Sequence, residues 1–369
     1  MTAGDDARYM ALALSLGRRG LGHVWPNPAV GCVLVREGRI VGRGTTQTGG
    51  RPHAERVALA QAGPAARGAT AYVTLEPCAH HGQTPPCADA MVEAGVVRVV
   101  TALEDPDPRV SGGGHSRLRA AGVQVETGLC AATAERDQAG FLLRVTRGRP
   151  FVTLKLATSF DGRIATATGE SRWITGPAAR RQVHALRLCH DAVLIGGGTA
   201  RADDPMLDVR DFGAVRQPVR VVAARQLALN TDGRLARTAG TQPLWLVHGN
   251  RAGDLRGGSA ATWEALGARL FPVPVGPGGQ LAPAELLGAL AEAGLTRVFC
   301  EGGGALAASL LQAGLVDRLV GFTAGLALGA EGQPALGALG LDTLAEAPRF
   351  RLSEARPVGG DVMHVWDRA

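Results

Sequence analysis

The chain has 369 residues, of which 46% are hydrophobic and 20% charged, and its formal net charge is +6. This composition is typical of a globular protein, and the length predicts two domains of about 100–200 residues each. The chain has no run of about 18 apolar residues, and its acidic start lacks the apolar segment of a secretory signal. We therefore expect a cytoplasmic protein that does not span a membrane.

The basic balance is compatible with nucleic-acid binding but does not require it. Aromatic residues make up only 4% of the chain, and no dense basic run with interleaved aromatics occurs. Small anionic molecules account for the charge equally well. We expect small phosphorylated molecules as partners, and neither nucleic acid nor membrane.

The first part of the chain predicts an alternation of helices and strands. A helix over 9–19 is followed by a β-hairpin whose strands, 31–35 and 39–42, meet at Glu37-Gly38. Further elements follow in the same alternation: helices over 54–62, 88–94 and 116–121, and strands over 71–75, 96–102 and 123–127. Alternating strands and helices indicate a layered α/β domain.

The pattern breaks near residues 147–150, which divides the chain into predicted domains 1–147 and 148–369. A second alternation follows: strands over 151–157, 192–195, 219–223, 244–247, 297–300 and 318–323, and helices over 178–188, 284–293 and 305–313. The stretch 251–262 is rich in Gly, Ser and Ala, so we expect a surface loop there. The second domain is therefore also predicted to be α/β.

Six scattered cysteines without a secretory signal favour metal ligands or buried thiols over disulfides. His53 precedes a predicted helix, Cys78 follows a strand and Cys87 opens the next helix. One imidazole and two thiolates are three ligands for tetrahedral zinc, and they leave the fourth position for water. Glu55 can take the water proton and deliver it to a ring nitrogen and then to the leaving ammonia. This H-x-E…P-C arrangement is typical of zinc deaminases.

Two alternatives remain open for this cluster. In a structural zinc site, His80 or His81 would be the fourth ligand; without a metal, Glu55 would be a solvated helix residue. Eight residues separate Cys78 from Cys87, more than the commoner gap of two, so the loop between them is predicted to shape substrate choice.

Lys155 is the only lysine of the chain, and the other 38 of its 39 Lys and Arg residues are arginine. Arginine cannot replace a compact ammonium whose pKa responds to burial, so Lys155 is predicted to be functional, with chance retention as the alternative. Its ammonium could polarise an imine or carbonyl carbon that receives a hydride. Arg187 and Arg210 are candidate phosphate clamps, and Trp173 offers a flat face to a nicotinamide, unless it is a core residue.

Two glycine triplets, 196–198 and 302–304, each follow a predicted strand. Glycines at a strand-to-helix turn expose backbone N–H groups to phosphate, but the signal is weak. A third triplet, 112–114, is assigned no such role. Because no G-x-G-x-x-G sequence occurs, a Rossmann domain is not supported.

Several segments resemble the bifunctional deaminase–reductases of riboflavin biosynthesis. They are Pro26-Asn27-Pro28 and residues 76–87 and 104–108 in the first half, and residues 155–157, 159–163, 169–174, 202–205 and 301–303 in the second. The resemblance implies a cytidine-deaminase-like three-layer domain followed by a dihydrofolate-reductase-like α/β domain. It also implies zinc-dependent deamination of diaminohydroxyphosphoribosylaminopyrimidine, then NADPH-dependent reduction of the ribosyl group of the aminouracil product to a ribityl chain.

The resemblance implies a role for individual residues as well. In the deaminase, Glu55 is catalytic, His53, Cys78 and Cys87 bind zinc, and substrate contacts fall on Asn27, His80 and Asp105. In the reductase, Lys155 is catalytic and the cofactor contacts fall on Ala157, Trp173, Thr199, Gly302 and Gly303. Reductase substrate contacts fall on Ser171, Arg187, Asp203, Leu207, Arg210 and Glu301. We also expect a homo-oligomer.

The chain departs from the family pattern at Thr46, Gln83 and Asp107 in the deaminase and at Ala224, Arg225 and Leu326 in the reductase. Arg225 stands where the family has a serine, and its position and charge suggest that it binds the 2′-phosphate of NADPH. Two other functions remain open: a polynucleotide base deaminase, and a zinc deaminase with a degenerate, non-catalytic C-terminal domain.

Overall fold

The computed structural model describes residues 3–79, 85–108, 110–251, 259–276 and 278–369. The chain forms two compact units, the first ending at Gly148 and the second beginning at Arg149. Within the described ranges, no helix is long and apolar enough to cross a membrane.

The first unit is built on a five-stranded sheet with the strand order β2-β1-β3-β4-β5. Its strands are β1 (Gly31–Arg36), β2 (Arg39–Thr45), β3 (Thr70–Val73), β4 (Arg98–Thr101) and β5 (Gln124–Thr127). Its helices are α1 (Ala3–Arg18), α2 (Ala54–Ala62), α3 (Cys87–Glu93), α4 (Gly113–Ala120) and α5 (Ala131–Arg147). β1 is antiparallel to β2 and β3, whereas β3, β4 and β5 are parallel to one another.

Helices cover both faces of this sheet, which gives three layers. Met10 and Leu14 of α1 pack with Val33 and Tyr72 on one face, whereas α2, α3 and α4 pack on the other. A Cβ at Gly44 would lie 2.0 Å from the carbonyl oxygen of Ala54. Glycine on β2 therefore allows the start of α2, which carries the residues of the predicted zinc site, to lie directly on the sheet.

The second unit contains a nine-stranded sheet with the order β11-β10-β9-β8-β12-β6-β13-β16-β15. Its strands are β6 (Phe151–Ser159), β8 (Ala192–Gly196), β9 (Val219–Ala223), β10 (Leu244–Gly249), β11 (Arg269–Val273), β12 (Arg297–Gly302), β13 (Arg318–Ala324), β15 (Phe350–Val358) and β16 (Asp361–Arg368). The seven strands from β11 to β13 are parallel, and β16 and β15 are antiparallel. β7 (Arg163–Ala165) and β14 (Gln333–Pro334) form a separate pair.

The helices of the second unit connect these strands. They are α6 (Pro177–Leu188), α7 (Gly197–Asp203), α8 (Arg234–Arg237), α9 (Ser259–Ala265), α10 (Pro283–Glu292) and α11 (Gly304–Gln312). α7 begins at the carboxyl end of β8 and α11 at the carboxyl end of β12. Since β8 and β12 are parallel neighbours, both turns lie at the same edge of the sheet, where open α/β sheets bind ligands.

The structure differs from the sequence predictions at several elements: α1 begins earlier than residue 9, and β7, β11, β14, α7 and α8 were not predicted. Three further differences have a clear physical reason. α5 was missed, because its buried face includes the polar Gln138, whose Nε2 donates to the carbonyl oxygen of Ala29 at 2.7 Å. The terminal hairpin β15–β16 was missed, because β15 is exposed along most of its length and shows no apolar alternation. The predicted loop 251–262 is wrong from Ser259 onward, where α9 begins, and residues 252–258 lie outside the described residues.

Candidate active sites

Three elements of the first unit bring the predicted zinc ligands together. His53 is the residue before α2, Cys78 follows the strand β3, and Cys87 is the first residue of α3. Nδ1 of His53 lies 3.7 Å from Sγ of Cys78 and 3.4 Å from Sγ of Cys87. The backbone N–H of Cys87 also donates to Sγ of Cys78 at 3.3 Å. The two thiols and the imidazole thus face a common point.

This donor set fits tetrahedral zinc. With Zn–S bonds of about 2.3 Å and a Zn–N bond of about 2.0–2.1 Å, a tetrahedral ion separates the nitrogen from each sulfur by about 3.6 Å. The two observed distances lie on either side of that value. Among the described residues the cluster has three members, as a catalytic zinc site requires; His80 and His81, the candidates for a fourth ligand, lie outside the described residues.

Glu55 lies in the first turn of α2, and its exposed fraction is 3%. Burial is the main reason why the pKa of Glu55 is raised to about 7, although the adjacent His53 lowers it. A carboxyl group with a pKa near neutrality can both accept and return a proton at physiological pH. The pKa of Cys78 is lowered to about 4, chiefly by hydrogen bonding with Cys87 and despite its burial, and the thiolate is the form that binds metal.

The predicted substrate residue Asn27 lies in a turn with fixed contacts. Its Nδ2 donates to the carbonyl oxygen of Gly50 at 3.1 Å. A Cβ at Gly50 would come within 1.9 Å of that Nδ2, and Gly50 has a φ of +87°, so glycine is required there. The hydroxyl of Thr46, one of the departures, donates to the carbonyl oxygen of Pro28 at 3.1 Å and thereby supports the same turn.

Asp105, the second predicted substrate residue, is buried in the segment after β4. Its Oδ1 accepts the backbone N–H of Asp107 at 2.9 Å, and its own backbone N–H donates to Oε2 of Glu76 at 3.2 Å. Sequence analysis gave Glu76 no role. The sequence feature that could have identified Glu76 is its position directly before Pro77-Cys78. The predicted substrate residue His80 and the departure Gln83 lie outside the described residues.

The predicted reductase residues Lys155, Arg187 and Glu301 come from three separate elements, β6, α6 and β12. Arg187 donates to Glu301 through Nε at 2.5 Å and through Nη2 at 3.0 Å, and its Nη1 donates to the carbonyl oxygen of Asp208 at 2.6 Å. The side chains of this pair are 12% and 11% exposed. The structure thus places a buried, bidentate ion pair beside the single lysine.

The strand register explains why Lys155 and Glu301 are neighbours. β6 and β12 are parallel, with Leu154 opposite Cys300, so Lys155 and Glu301 are the next residues along the two strands. On the other side of β12, the pairing with β8 shifts between Cys300 and Gly302. Glu301 is therefore the extra residue of a β-bulge, a feature that redirects a side chain.

The pKa values of Lys155 and Glu301 are both lowered, which favours the neutral form of the lysine and the charged form of the glutamate. Burial lowers the pKa of Lys155, and the nearby Glu301 only partly opposes this effect. Burial would raise the pKa of Glu301, but the Arg187 guanidinium outweighs burial and holds that pKa below its ordinary value. Glu301 is therefore charged at neutral pH, and Lys155 releases a proton more readily than an exposed lysine does.

The predicted cofactor residues lie along the carboxyl edge of the same sheet. A Cβ at Gly303 would lie 3.1 Å from Oγ1 of Thr199, so the turns after β8 and β12 are adjacent. Gly302 and Gly303 have φ values of +97° and +92°, which favour glycine. Ala157 follows Lys155 by two residues on β6 and so shares its face. Arg225 is exposed and follows β9.

Trp173 is not a core residue, because its exposed fraction is 68%. The guanidinium of Arg180 lies 4.3 Å from the centre of its ring. Nearby in sequence, Arg172 donates to the carbonyl oxygen of Asp203 at 3.0 Å, which connects the segment of the predicted substrate residue Ser171 to α7.

The segment 207–210 carries two further predicted substrate residues. Leu207 is buried with a φ of +57°, and Nε of Arg210 lies 3.5 Å from Oδ1 of Asp208. Because the carbonyl of Asp208 accepts from Arg187, this segment lies against the Arg187–Glu301 pair.

Comparison with known proteins identifies the family. Residues 3–103 match the cytidine and deoxycytidylate deaminase zinc-binding region, and residues 150–364 match the RibD C-terminal domain. The chain belongs to the RibD family. It is 43% identical over 371 residues to the riboflavin biosynthesis protein RibD of Escherichia coli, covering 97% of this chain and 98% of the relative.

Two solved structures resemble the whole chain. RibD of Acinetobacter baumannii is 37% identical with a TM-score of 0.88, and each chain is covered to 99%. A Thermotoga maritima enzyme, described as a diaminohydroxyphosphoribosylaminopyrimidine deaminase/5-amino-6-(5-phosphoribosylamino)uracil reductase, is 31% identical with a TM-score of 0.86 and the same coverage.

The family resolves the main alternatives. The chain is a bifunctional deaminase and reductase of riboflavin biosynthesis with zinc and NADPH as its cofactors, and the alternative of a non-catalytic C-terminal domain is not supported. The predicted fold class is also confirmed, with a cytidine-deaminase-like first domain and an α/β reductase domain after it.

Proposed function

We propose that the first unit hydrolyses an amino group from diaminohydroxyphosphoribosylaminopyrimidine, and that the second unit then reduces the ribosyl group of 5-amino-6-(5-phosphoribosylamino)uracil to a ribityl chain. The described activities of the Thermotoga relative support this substrate pair. The observation that carries the proposal is the convergence of one imidazole and two thiols near a buried glutamate with a raised pKa. This constellation suits hydrolytic deamination of a pyrimidine ring.

In the deaminase, His53, Cys78 and Cys87 would hold the zinc, which supplies a Lewis acid that makes hydroxide available at neutral pH. Glu55 accepts the proton of the attacking water. The same carboxyl then delivers this proton to the ring nitrogen. In a second transfer it carries the proton of the hydroxyl now on the ring carbon to the amino group, so that a carbonyl forms as the C–N bond breaks and ammonia leaves. The pKa of about 7 suits these two opposite transfers. Asn27, held by Gly50, orients the edge of the ring.

In the reductase, NADPH supplies the hydride. Lys155 holds a proton at Nζ beside the sugar and polarises the carbon that is reduced. Glu301, kept charged by Arg187, orients the sugar hydroxyls. Because Arg187 already donates to Glu301 and to the Asp208 carbonyl, its role is to support Glu301, and the mostly exposed Arg210 becomes the better phosphate clamp.

The remaining reductase contacts complete the proposal. Ser171, Asp203 and Leu207 contact the substrate. The cofactor contacts are Ala157, Trp173, Thr199, Gly302 and Gly303, with Arg225 at the 2′-phosphate. Trp173 offers an exposed aromatic face, and the adjacent turns at Thr199 and Gly303 offer backbone N–H groups to phosphate.

We further assign residues 1–147 to the deaminase domain and 148–369 to the reductase domain, in a cytoplasmic homo-oligomer that binds small phosphorylated pyrimidines and no nucleic acid. The division of the chain into compact units supports the domain assignment. The edge strand β15, exposed over most of its nine residues, supports oligomerisation, because an edge strand can pair with another chain. The low aromatic content argues against a polynucleotide groove, which needs stacking side chains.

A combined assay tests the proposal. Purified protein with its zinc content measured is given the diamino-pyrimidinone ribose phosphate, and ammonia release and NADPH absorbance are followed in one sample. When NADPH is left out, we expect ammonia to be released. When NADPH is added together with the diamino substrate, we expect the amount of NADPH consumed to match the amount of ammonia released. Ammonia without NADPH loss would contradict the reductase assignment. If zinc-loaded protein gives neither ammonia nor NADPH loss, the substrate assignment is contradicted, and oligonucleotide deamination becomes the next test.

A further inference from the structure

Glu76 accepts four hydrogen bonds from backbone N–H groups close to the proposed zinc ligands, yet the proposed mechanism does not use it. It lies two residues before Cys78, and its side chain is 0% exposed. Its carboxylate accepts four backbone N–H groups, two on each oxygen. The donors are Asp105 at 3.2 Å, Gly112 at 3.0 Å, Gly114 at 2.8 Å and His115 at 3.1 Å.

These four donors belong to two segments, the segment after β4 and the start of α4. Gly112, Gly114 and His115 lie at the start of α4, where backbone N–H groups have no partner within the helix. A carboxylate at a helix N-terminus satisfies these groups and interacts favourably with the helix dipole. Asp105 lies at the other end of the same connection between β4 and α4. Glu76 therefore fastens both ends of this connection to the segment that leads into Cys78.

A second contact joins the same segments. A Cβ at Gly114 would lie 1.9 Å from the carbonyl oxygen of Pro77, so only glycine allows α4 to approach so closely. This contact gives Gly114, the last residue of the triplet 112–114, a structural reason.

The cluster does not fit a cation. Ligand atoms of Glu76, Glu104 and His115 lie within 4.8 Å of one another. However, each oxygen of Glu76 already accepts two N–H groups, and Nε2 of His115 lies 3.0 Å from Oγ1 of Thr101. A carboxylate whose lone pairs are engaged in this way serves as an anchor for backbone.

We propose that Glu76 is a positioning residue of the deaminase, which sets the distance between the segment of Cys78 and the segment of Asp105. The proposal rests on the proposed function, in which Asp105 contacts the substrate. By fixing both segments, Glu76 determines how well a substrate can contact the metal donor set and Asp105 at the same time.

The Glu76→Gln variant tests this role without changing the shape of the side chain. The amide has one acceptor oxygen, and its NH₂ group faces two backbone donors. We expect the KM for the diamino substrate to rise about tenfold or more, as the loss of hydrogen bonds to a charged group predicts. We expect kcat to change less than about threefold and the zinc content to stay at one per chain, because the metal ligands are retained.

A pair of alanine variants tests the same connection without touching the carboxylate. Gly114→Ala introduces the clash with Pro77, whereas the nearest atom to a Cβ at Gly113 is Cβ of Ala79 at 3.4 Å, an ordinary contact. We expect Gly114→Ala to raise KM as Glu76→Gln does and Gly113→Ala to behave as wild type. If Glu76→Gln does not fold, this pair of alanine variants still tests whether the contact between α4 and the segment of Cys78 determines KM.

Hydrogen–deuterium exchange supplies a readout that does not depend on the substrate. In Glu76→Gln, the amides of 105–115 should exchange faster than in wild type, with the second unit unchanged. Unchanged exchange or wild-type KM would overturn the proposal. Loss of zinc, or a lower kcat at constant KM, would overturn it too, since Glu76 would then act through Cys78. If wild type releases no ammonia, the proposed function fails, and exchange still decides whether Glu76 holds this connection.

Discussion

The two active sites of this chain are built in different ways. The proposed metal ligands of the deaminase lie within 35 positions, 53–87: one before α2, one in the segment after β3 and one at the start of α3, and all three are residue types with distinctive chemistry. The proposed reductase residues Lys155, Arg187 and Glu301 come from two strands and a helix spread over 147 positions. The first site is defined by local sequence, and the second by the register of a parallel sheet.

The difference predicts that each site can be disabled without the other. The largest effect is expected at Glu55, the only proton carrier that we assign to the deaminase. Glu55→Gln keeps the shape of the side chain but cannot transfer a proton, so ammonia release should fall by about 10²–10⁴-fold. Ammonia release from the diamino substrate is the measurement. NADPH oxidation with the already deaminated substrate is the control, and a parallel loss of both would contradict separate sites.

The next effect concerns the single lysine. Lys155→Arg keeps the positive charge but removes a compact ammonium whose pKa is lowered by burial. We expect NADPH oxidation to fall by about 10²-fold, within the range seen when one group that stabilises a transition state is removed. Steady-state absorbance with the deaminated substrate measures this. Ammonia release should be unchanged, and near-wild-type NADPH oxidation would show that a cation alone is enough.

A buried ion pair supports the second site only. Arg187→Met should destabilise the second unit by about 3–5 kcal/mol, because it leaves the buried Glu301 without its ion-pair partner. In wild type the pKa of Glu301 is lowered, so the pair stabilises the fold at neutral pH and this contribution is lost as pH falls through that pKa. In the variant the contribution of Arg187 is gone, so burial, which only Lys155 and His184 still oppose, should raise the pKa of Glu301, and stability should then increase as pH falls toward mild acidity.

Urea unfolding followed at several pH values measures this change. The double variant Arg187→Met with Glu301→Gln is the matched control, because it removes the buried charge, and it should recover most of the lost free energy of unfolding. Equal instability of the single and double variants would mean that Arg187 acts through packing or through the Asp208 carbonyl.

The smallest effect is expected at Arg225, which is exposed. If its guanidinium contacts the 2′-phosphate, Arg225→Ala should raise the KM for NADPH by about tenfold and leave the KM for NADH unchanged. Initial rates with both cofactors measure the ratio. Equal changes for the two cofactors would remove Arg225 from the phosphate site, as would a cofactor-bound crystal structure with Arg225 more than about 5 Å from that phosphate.

The same contrast explains what the sequence could predict. The zinc ligands were predicted by residue type and position, since His53 and Cys87 flank helix starts that the sequence already indicated. The Arg187–Glu301 pair was not predicted as a pair, because no local pattern places α6 beside β12. The bulge at Glu301 also left no trace in the apolar periodicity.

The fold shows a similar division. The helix 54–62 and the strand 219–223 were predicted with the bounds that the structure has, because buried apolar residues dominate both. α5 and β15 were missed, because one buries a glutamine and the other is largely exposed. The role of Glu76 was hidden for another reason: its partners are backbone N–H groups, which have no sequence signature.

The claim that two separate sites act one after the other is tested most directly by one experiment. Glu55→Gln and Lys155→Arg proteins are each given the diamino substrate with NADPH, first alone and then as an equal mixture. We predict that Glu55→Gln alone gives neither signal, that Lys155→Arg alone gives ammonia only, and that the mixture gives ammonia and NADPH loss in equal amounts. NADPH consumption by Glu55→Gln alone, without ammonia, would contradict the account, because reduction would then not depend on deamination.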